Sequence, residues 1–274
     1  MRNVVLFSVL LLPACGAFGT SPRTAELTAC SRPEHSVDAA ISVCTQLLKD
    51  KTLSREERVF VYFSRARAAM NKQDMAGALR DLDESIKLDP SQAVSFASRG
   101  IVRGTMGNLE SAISDFSRAI ELDPNDWVSF QNRAKAYSDG GDQKRAIEDY
   151  SRVIEMGSDG PIPRNGRCWS LAVLGRDLAA AKKDCEEAVR LAPKDGNNLN
   201  SLAFVRFRSG DYAGAVEDYT KSLSLNPDAG SSYYMRGRAK AKINDPTASD
   251  DIAKGAGYEA GVAKRYAGYG IEPL

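Results

Sequence analysis

The side chains that could do covalent or acid–base chemistry in this chain are five cysteines, one histidine and a near-equal supply of carboxylates and cations. The cysteines are Cys15, Cys30, Cys44, Cys168 and Cys185, and the histidine is His35. Imidazole is the usual general base near neutral pH and the commonest metal ligand, so a single isolated His leaves little room for metal sites or Ser/Cys–His catalysis. Asp and Glu are plentiful, but no Gly-rich phosphate loop, metal-ligand spacing or nucleophile elbow accompanies them. The residues therefore argue against an enzyme, and no metal or cofactor is expected. Lys plus Arg number 37 against 36 Asp plus Glu, a net charge of +1. A nucleic-acid binder calls for a basic surplus, so no nucleic-acid partner is expected.

The cysteines bear on compartment. Met1-Arg2-Asn3 is a short positive start, 4–12 is almost purely apolar, and Ala14, Cys15, Gly16 and Ala17 are small. This is the layout of a secretory signal, and its apolar run is far below the ~20 residues that cross a bilayer as a helix. Leu12-Pro13-Ala14-Cys15 resembles a bacterial lipobox, with a proline that such motifs rarely carry. The resemblance implies lipidation at Cys15; cleavage after Gly16, Ala17 or Gly19 is the rival. Either route leaves four cysteines, an even number suited to disulfides in an oxidising compartment. The expected location is periplasmic or lipid-anchored to a bacterial membrane, with full secretion as the weaker alternative.

The elements that position everything else announce themselves by repetition. Segments ending in Pro90, Pro124, Pro193 and Pro227 read alike, at intervals of 34, 69 and 34 residues. The long interval holds two units, and Ser158 stands where the missing proline would fall. Within 93–124, Phe96 opens a first helix, Gly100 marks a close crossing, and Gly107 suits the left-handed end of a helix. Ala112, Phe116 and Ala119 then recur at helical spacing, and Pro124 stops the second helix. Helices this short are marginal alone and must bury their apolar stripes on neighbours. Gly140-Gly141 falls at another hairpin turn.

This pattern resembles the tetratricopeptide repeat. The resemblance implies an all-α fold: a right-handed α-solenoid of helix-turn-helix hairpins with capping helices. Six copies are expected over 59–257, at about 59–90, 93–126, 127–160, 162–195, 196–229 and 230–257. Leu82 and Cys185 replace the second-helix aromatic, and the last copy is one residue short in its turn. The remaining divisions are a signal over 1–19, a linker over 20–35, an N-terminal half-repeat or cap over 36–58, and a capping helix with tail over 258–274. Tyr258, Val262 and Tyr266 lie at helical spacing there.

Arg65, Arg99, Arg133 and Arg236 hold one place in the first helices, and Asp81, Asp115, Asp149 and Asp251 one place in the second. The resemblance implies an Arg–Asp pair inside each hairpin, in preference to a row of anion sites. The fifth unit has Leu202 in the arginine's place and keeps Asp218. The fourth has Cys168 there, with Cys185 directly after Asp184. On that alignment Cys168 pairs with Cys185 in place of an ion pair, and Cys30 with Cys44 remains; four buried thiols are the alternative.

First helices in the family line a concave groove that holds peptides or helices. Carried onto this sequence, the groove positions are Phe60, Phe63, Arg67, Ile101, Lys135, Phe204, Phe207, Arg208, Tyr234 and Arg238. They are aromatic or apolar and basic, without an acid, which suits a peptide with apolar anchors and acidic groups. Asn132 alone does not make the Lys/Asn clamp of chaperone-tail binders. The expected function is an exported protein-interaction scaffold whose partner is a protein or peptide. A structural subunit of a larger envelope assembly is the alternative. Peptide mapping of the exported protein under non-reducing conditions should recover Cys30–Cys44 and Cys168–Cys185 linked; free thiols at these four positions would rule the pairing out.

Overall fold

A computed structural model describes residues 22–32 and 36–272. The expected signal at 1–19 with Cys15, and His35, lie outside the described residues. The described residues form fifteen helices and divide into two compact units, the first ending at Ser95 and the second beginning at Phe96. None of these helices is long and apolar enough to cross a membrane.

In the first unit, α1 (Pro22–Ser31) and α2 (Val37–Leu47) precede α3 (Arg55–Asn71) and α4 (Met75–Leu88). The expected linker over 20–35 therefore contains a helix, and the expected half-repeat is the second member of a full hairpin. The cause is that α1 has something to bury. Leu27 and Cys30 join Cys44, Leu47, Leu53 and Val61 in one apolar cluster. A disulfide between Cys30 and Cys44, with Cα atoms 5.0 Å apart, fixes α1 to α2. Arg23 adds hydrogen bonds to Asp50 and to the Thr52 hydroxyl. Helix α3 begins four residues before the expected repeat boundary at 59. Ser54 accepts from the Glu57 amide while the Glu57 carboxylate accepts from the Ser54 amide, a reciprocal cap that starts the helix early.

The second unit takes in most of α5 (Ala93–Thr105), then α6 (Leu109–Leu122), α7 (Trp127–Asp139), α8 (Gln143–Glu155), α9 (Pro161–Leu174), α10 (Leu178–Leu191), α11 (Gly196–Arg208), α12 (Tyr212–Leu225), α13 (Gly230–Lys242), α14 (Ala248–Tyr258) and α15 (Val262–Gly268). Successive helices pack as antiparallel hairpins of the α-solenoid class. Asp126, Asp142, Asp177, Asp195 and Asp211 cap helix N-termini by accepting backbone amide protons. Gly107 ends α5 at φ +84°. Where Ser158 replaces the proline, Pro161 and Pro163 sit in the first turn of α9, whose amides need no helical acceptor.

Small residues set the helix spacing. Ala112, Ala119, Ala146, Ala181, Ala188 and Ala215 are fully buried. Gly100 lies under Phe116, where an added Cβ would come within 2.7 Å of the ring, and Gly166 lies under Tyr150, where it would come within 2.3 Å. At the C-terminal end the expected continuous helix from Tyr258 is broken. Tyr258 closes α14 and stacks on Tyr233, Gly261 turns the chain at φ +87°, and α15 follows with Val262 and Tyr266 buried.

Gly166→Val should cost about 1–3 kcal/mol through overpacking against Tyr150, seen as a lower urea midpoint with an unchanged slope.

Candidate functional site

Most of the hairpins are held by a fork. Arg65, Arg133 and Arg236 donate from Nε and Nη2 to both carboxylate oxygens of Asp81, Asp149 and Asp251 at 2.7–2.9 Å. Arg99 does the same to Asp115. The carboxylates are nearly buried, and the planar guanidinium matches both oxygens at once. An aromatic one helical turn earlier lies against each arginine: Tyr62, Phe96, Phe130 and Tyr233. Burial would raise Asp251, but hydrogen bonds from Arg236 and Lys240 outweigh it and hold the carboxyl below its ordinary value.

The arginine also reaches the preceding hairpin through Nη1. Arg65 donates to Thr45 at 3.1 Å, Arg133 to Ser117 at 3.0 Å, and Arg236 to Thr220 at 3.2 Å. These hydroxyls escaped the reading of the sequence. Ser117 and Thr220 stand two residues after Asp115 and Asp218, a spacing that could have found them.

The fourth hairpin corrects the expectation that cysteines replace its ion pair. Arg167, one residue before Cys168, forks onto Asp184 at 2.6 and 2.8 Å and donates to Ser151 at 3.2 Å. The disulfide Cys168–Cys185, with Cα atoms 5.6 Å apart, lies beside the pair and adds to it. Here the paired residues are 17 apart against 16 in the hairpin of Arg133. The turn at Gly175-Arg176-Asp177, with positive φ at Gly175 and Asp177, accommodates the longer connection. Counting back from the second helix therefore lands one residue late.

That slip hid a groove residue. A position two past the fork arginine lies about 200° around the helix from it, facing away from the hairpin partner. In the second unit that row is Ile101, Lys135, Trp169, Phe204 and Arg238; in the first unit it holds Arg67. Trp169 was missed and packs on Phe204, ring centroids 5.2 Å apart.

The expected groove residues divide into two groups. Arg67 and Ile101 are half-buried, and Lys135 is exposed and paired with Asp139 at 2.7 Å. Phe63 is buried, and Phe60 packs on the apolar cluster of the first unit. Phe207 is buried edge-on to Tyr212. Phe204, Tyr234 and Arg238 are buried because α15 and its tail lie over them. Tyr266 meets Phe204 edge-on at 5.5 Å and stacks on Tyr234 at 5.9 Å; Tyr269 meets Trp169 edge-on at 6.0 Å. Arg208 donates to the Tyr269 carbonyl at 2.9 Å, and burial pushes its guanidinium below the ordinary value. Among the described residues no group of His, Cys, Asp and Glu is arranged to hold a metal ion.

The fifth hairpin, with Leu202 for arginine, keeps a weaker arrangement. The cation four residues on, Arg206, reaches Asp218 at 3.2 Å; the same place holds Arg103 on Asp115 and Lys240 on Asp251 as second cations. Burial raises the Asp218 carboxyl, and the charges of Arg206 and Lys221 offset this only in part.

Antiparallel helix hairpins with a fork in most of them and a groove of first-helix side chains define a helical-repeat solenoid. Tetratricopeptide-repeat models match 95–126, 116–148 and 197–229. The chain is a tetratricopeptide-repeat protein. Among solved structures it is similar in fold to PilW, a widely conserved type IV pilus biogenesis factor (TM-score 0.64, 12% identity, 76% of this chain and 98% of that one). It is also similar to a tetratricopeptide repeat protein from Parabacteroides merdae (TM-score 0.62, 17% identity, 72% and 78%). A third is YrrB, a TPR protein with an unusual peptide-binding site (TM-score 0.53, 15% identity, 68% and 97%). No curated protein matches the chain.

Arg206→Met should destabilise the protein by about 1–3 kcal/mol at neutral pH, because it leaves the buried Asp218 carboxylate with only Lys221, at 3.8 Å. Arg103→Met should cost less, since Arg99 still holds Asp115. Asp218 has a raised native pKa, so its penalty exists while it is ionised and is relieved as pH falls through that value. Denaturant titrations across the carboxylate range should show the gap between the two variants closing toward acid.

Proposed function

We propose that this protein is a scaffold, exported to the cell envelope, that holds a peptide or short helix of another protein in the groove formed by the first helices of its second unit. The observation that carries the reading is the groove row itself. Trp169, Phe204 and Arg238 lie in register, with Tyr234 and Arg208 beside them and helix α15 seated across them. Aromatics and arginine are the side chains that dominate binding hot spots. Ile101 and Lys135, in the same row, lie beyond the residues that α15 contacts. Export is supported by the signal layout of 1–19 and by the two disulfides, which persist in oxidising compartments. The likeness to PilW is one of fold and brings a question with it: whether the partner is transient or a fixed member of an envelope assembly. No catalytic role is proposed.

A photocrosslinking residue at position 101 or 135, in protein expressed in its own cells and purified from solubilised membranes, should trap a partner protein. The same residue on the outer face of α12, at exposed Lys221, should trap none. A partner recovered in stoichiometric amount without crosslinking would favour the assembly-subunit reading. Equal labelling from both faces would reject the groove.

A further inference from the structure

The last three hairpins of the second unit hold a ligand already, and it belongs to the chain itself. We propose that this end of the groove is a site for a partner segment with two aromatic side chains three residues apart and an acidic side chain beside them. The chain's own α15 and following tail fill the site until that segment displaces them. The proposal rests on the scaffold reading above and adds the chemistry of the ligand and a competitor for it.

The aromatic half of the site is satisfied by the self-occupant. Tyr266 and Tyr269, three residues apart, project from one side of a short helix onto Phe204, Tyr234 and Trp169. Arg208 takes the backbone carbonyl of Tyr269, and Gly270 follows in a left-handed conformation at φ +76°. A seven-residue helix has little stability of its own, so the segment stays through these contacts and the burial of Val262 and Ile271. Gly261 joins it to α14 by a turn, which lets it leave without unwinding the last hairpin.

The charged half of the site is not satisfied. Arg238 is 3% exposed, yet among the described residues it has no carboxylate partner. Its Nε meets no acceptor, and Nη1 reaches only the Tyr234 hydroxyl, at 3.3 Å. A buried guanidinium without a counter-ion is costly, and the aspartate of this hairpin, Asp251, is already taken by Arg236 and Lys240. The self-occupant brings no acid to it: α15 is charged only at Lys264 and Arg265, Arg265 is engaged with Glu259 at 2.8 Å, and the one acid of the tail, Glu272, is exposed. An entering segment that keeps both aromatics and supplies a carboxylate makes the aromatic contacts that α15 and its tail make and a charged one that they do not.

The test uses the full chain and two labelled peptides. One has the sequence of residues 259–272 with Glu259→Gln and Glu272→Gln, and the other carries Lys264→Glu and Arg265→Glu in addition. Fluorescence anisotropy should show the acidic peptide binding about tenfold more tightly, the range of one charge-assisted contact. Tyr266→Ala in the full chain loosens the competitor and should strengthen binding of both peptides, since apparent affinity scales with the open fraction. Tyr269→Ala should act in the same direction, and circular dichroism identifies a variant that merely unfolds. Arg238→Gln should abolish the preference for the acidic peptide while leaving binding of the other. No binding of either peptide to a folded, loosened variant would overturn the proposal. So would equal affinities in the presence of Arg238, or a dimer formed by exchange of the C-terminal segment. Crosslinking at 101 or 135 that persists in those cases would leave the scaffold reading standing and reject only this site.

Discussion

Most of what this fold does follows from burying a guanidinium against a carboxylate between two short helices. Neither group tolerates burial alone, and together they satisfy each other only in one geometry, the parallel fork. That geometry fixes the rotation of both helices in a hairpin. The aromatic one turn before the arginine shields the pair, and the hydroxyl of the preceding hairpin takes its remaining donor. Once the arginine is pointed inward, the position two residues later must point to the opposite side. The groove row is thus a consequence of the fork.

The repeat was legible because its causes are local. Prolines stop second helices, glycines turn, and alanines recur where helices touch. The arginines and aspartates were legible as pairs because the period carries both. Three features were not. The helix at Pro22–Ser31 has only two buried residues, Leu27 and Cys30, too few to raise a periodic signal, and it depends on a disulfide and on Arg23. In the fourth hairpin an additional residue between arginine and aspartate shifted the register, so Cys168 looked like a replacement and Trp169 went unnoticed. The placement of α15 over Phe204 and Tyr234 is set by contacts with residues about 30 to 60 positions earlier in the chain, which no local pattern encodes.

The two disulfides do different jobs. Cys30–Cys44 anchors a helix that would otherwise have little to hold it, at the start of the first unit. Cys168–Cys185 lies within a hairpin that already has its ion pair, and so stiffens the wall against which Trp169 packs. Both close short loops, where a crosslink still removes on the order of 3 kcal/mol of unfolded-state freedom. The groove wall nearest Tyr269 is therefore the most constrained hairpin of the second unit.

Next to it stands the hairpin with Leu202. Arg133, Arg167 and Arg236 each rivet their hairpin to the one before; leucine has no donor to do so. Between the fourth and fifth hairpins the joint is apolar packing and one buried hydrogen bond, from Asn198 Nδ2 to the Ala188 carbonyl at 3.1 Å, with no arginine across it. Of the seams entered by Arg133, Arg167, Leu202 and Arg236, this is the one that no guanidinium spans. The seam runs beneath Phe204, so there the register of neighbouring hairpins is held across the groove by Trp169 packing on Phe204, ring against ring, in place of a charge.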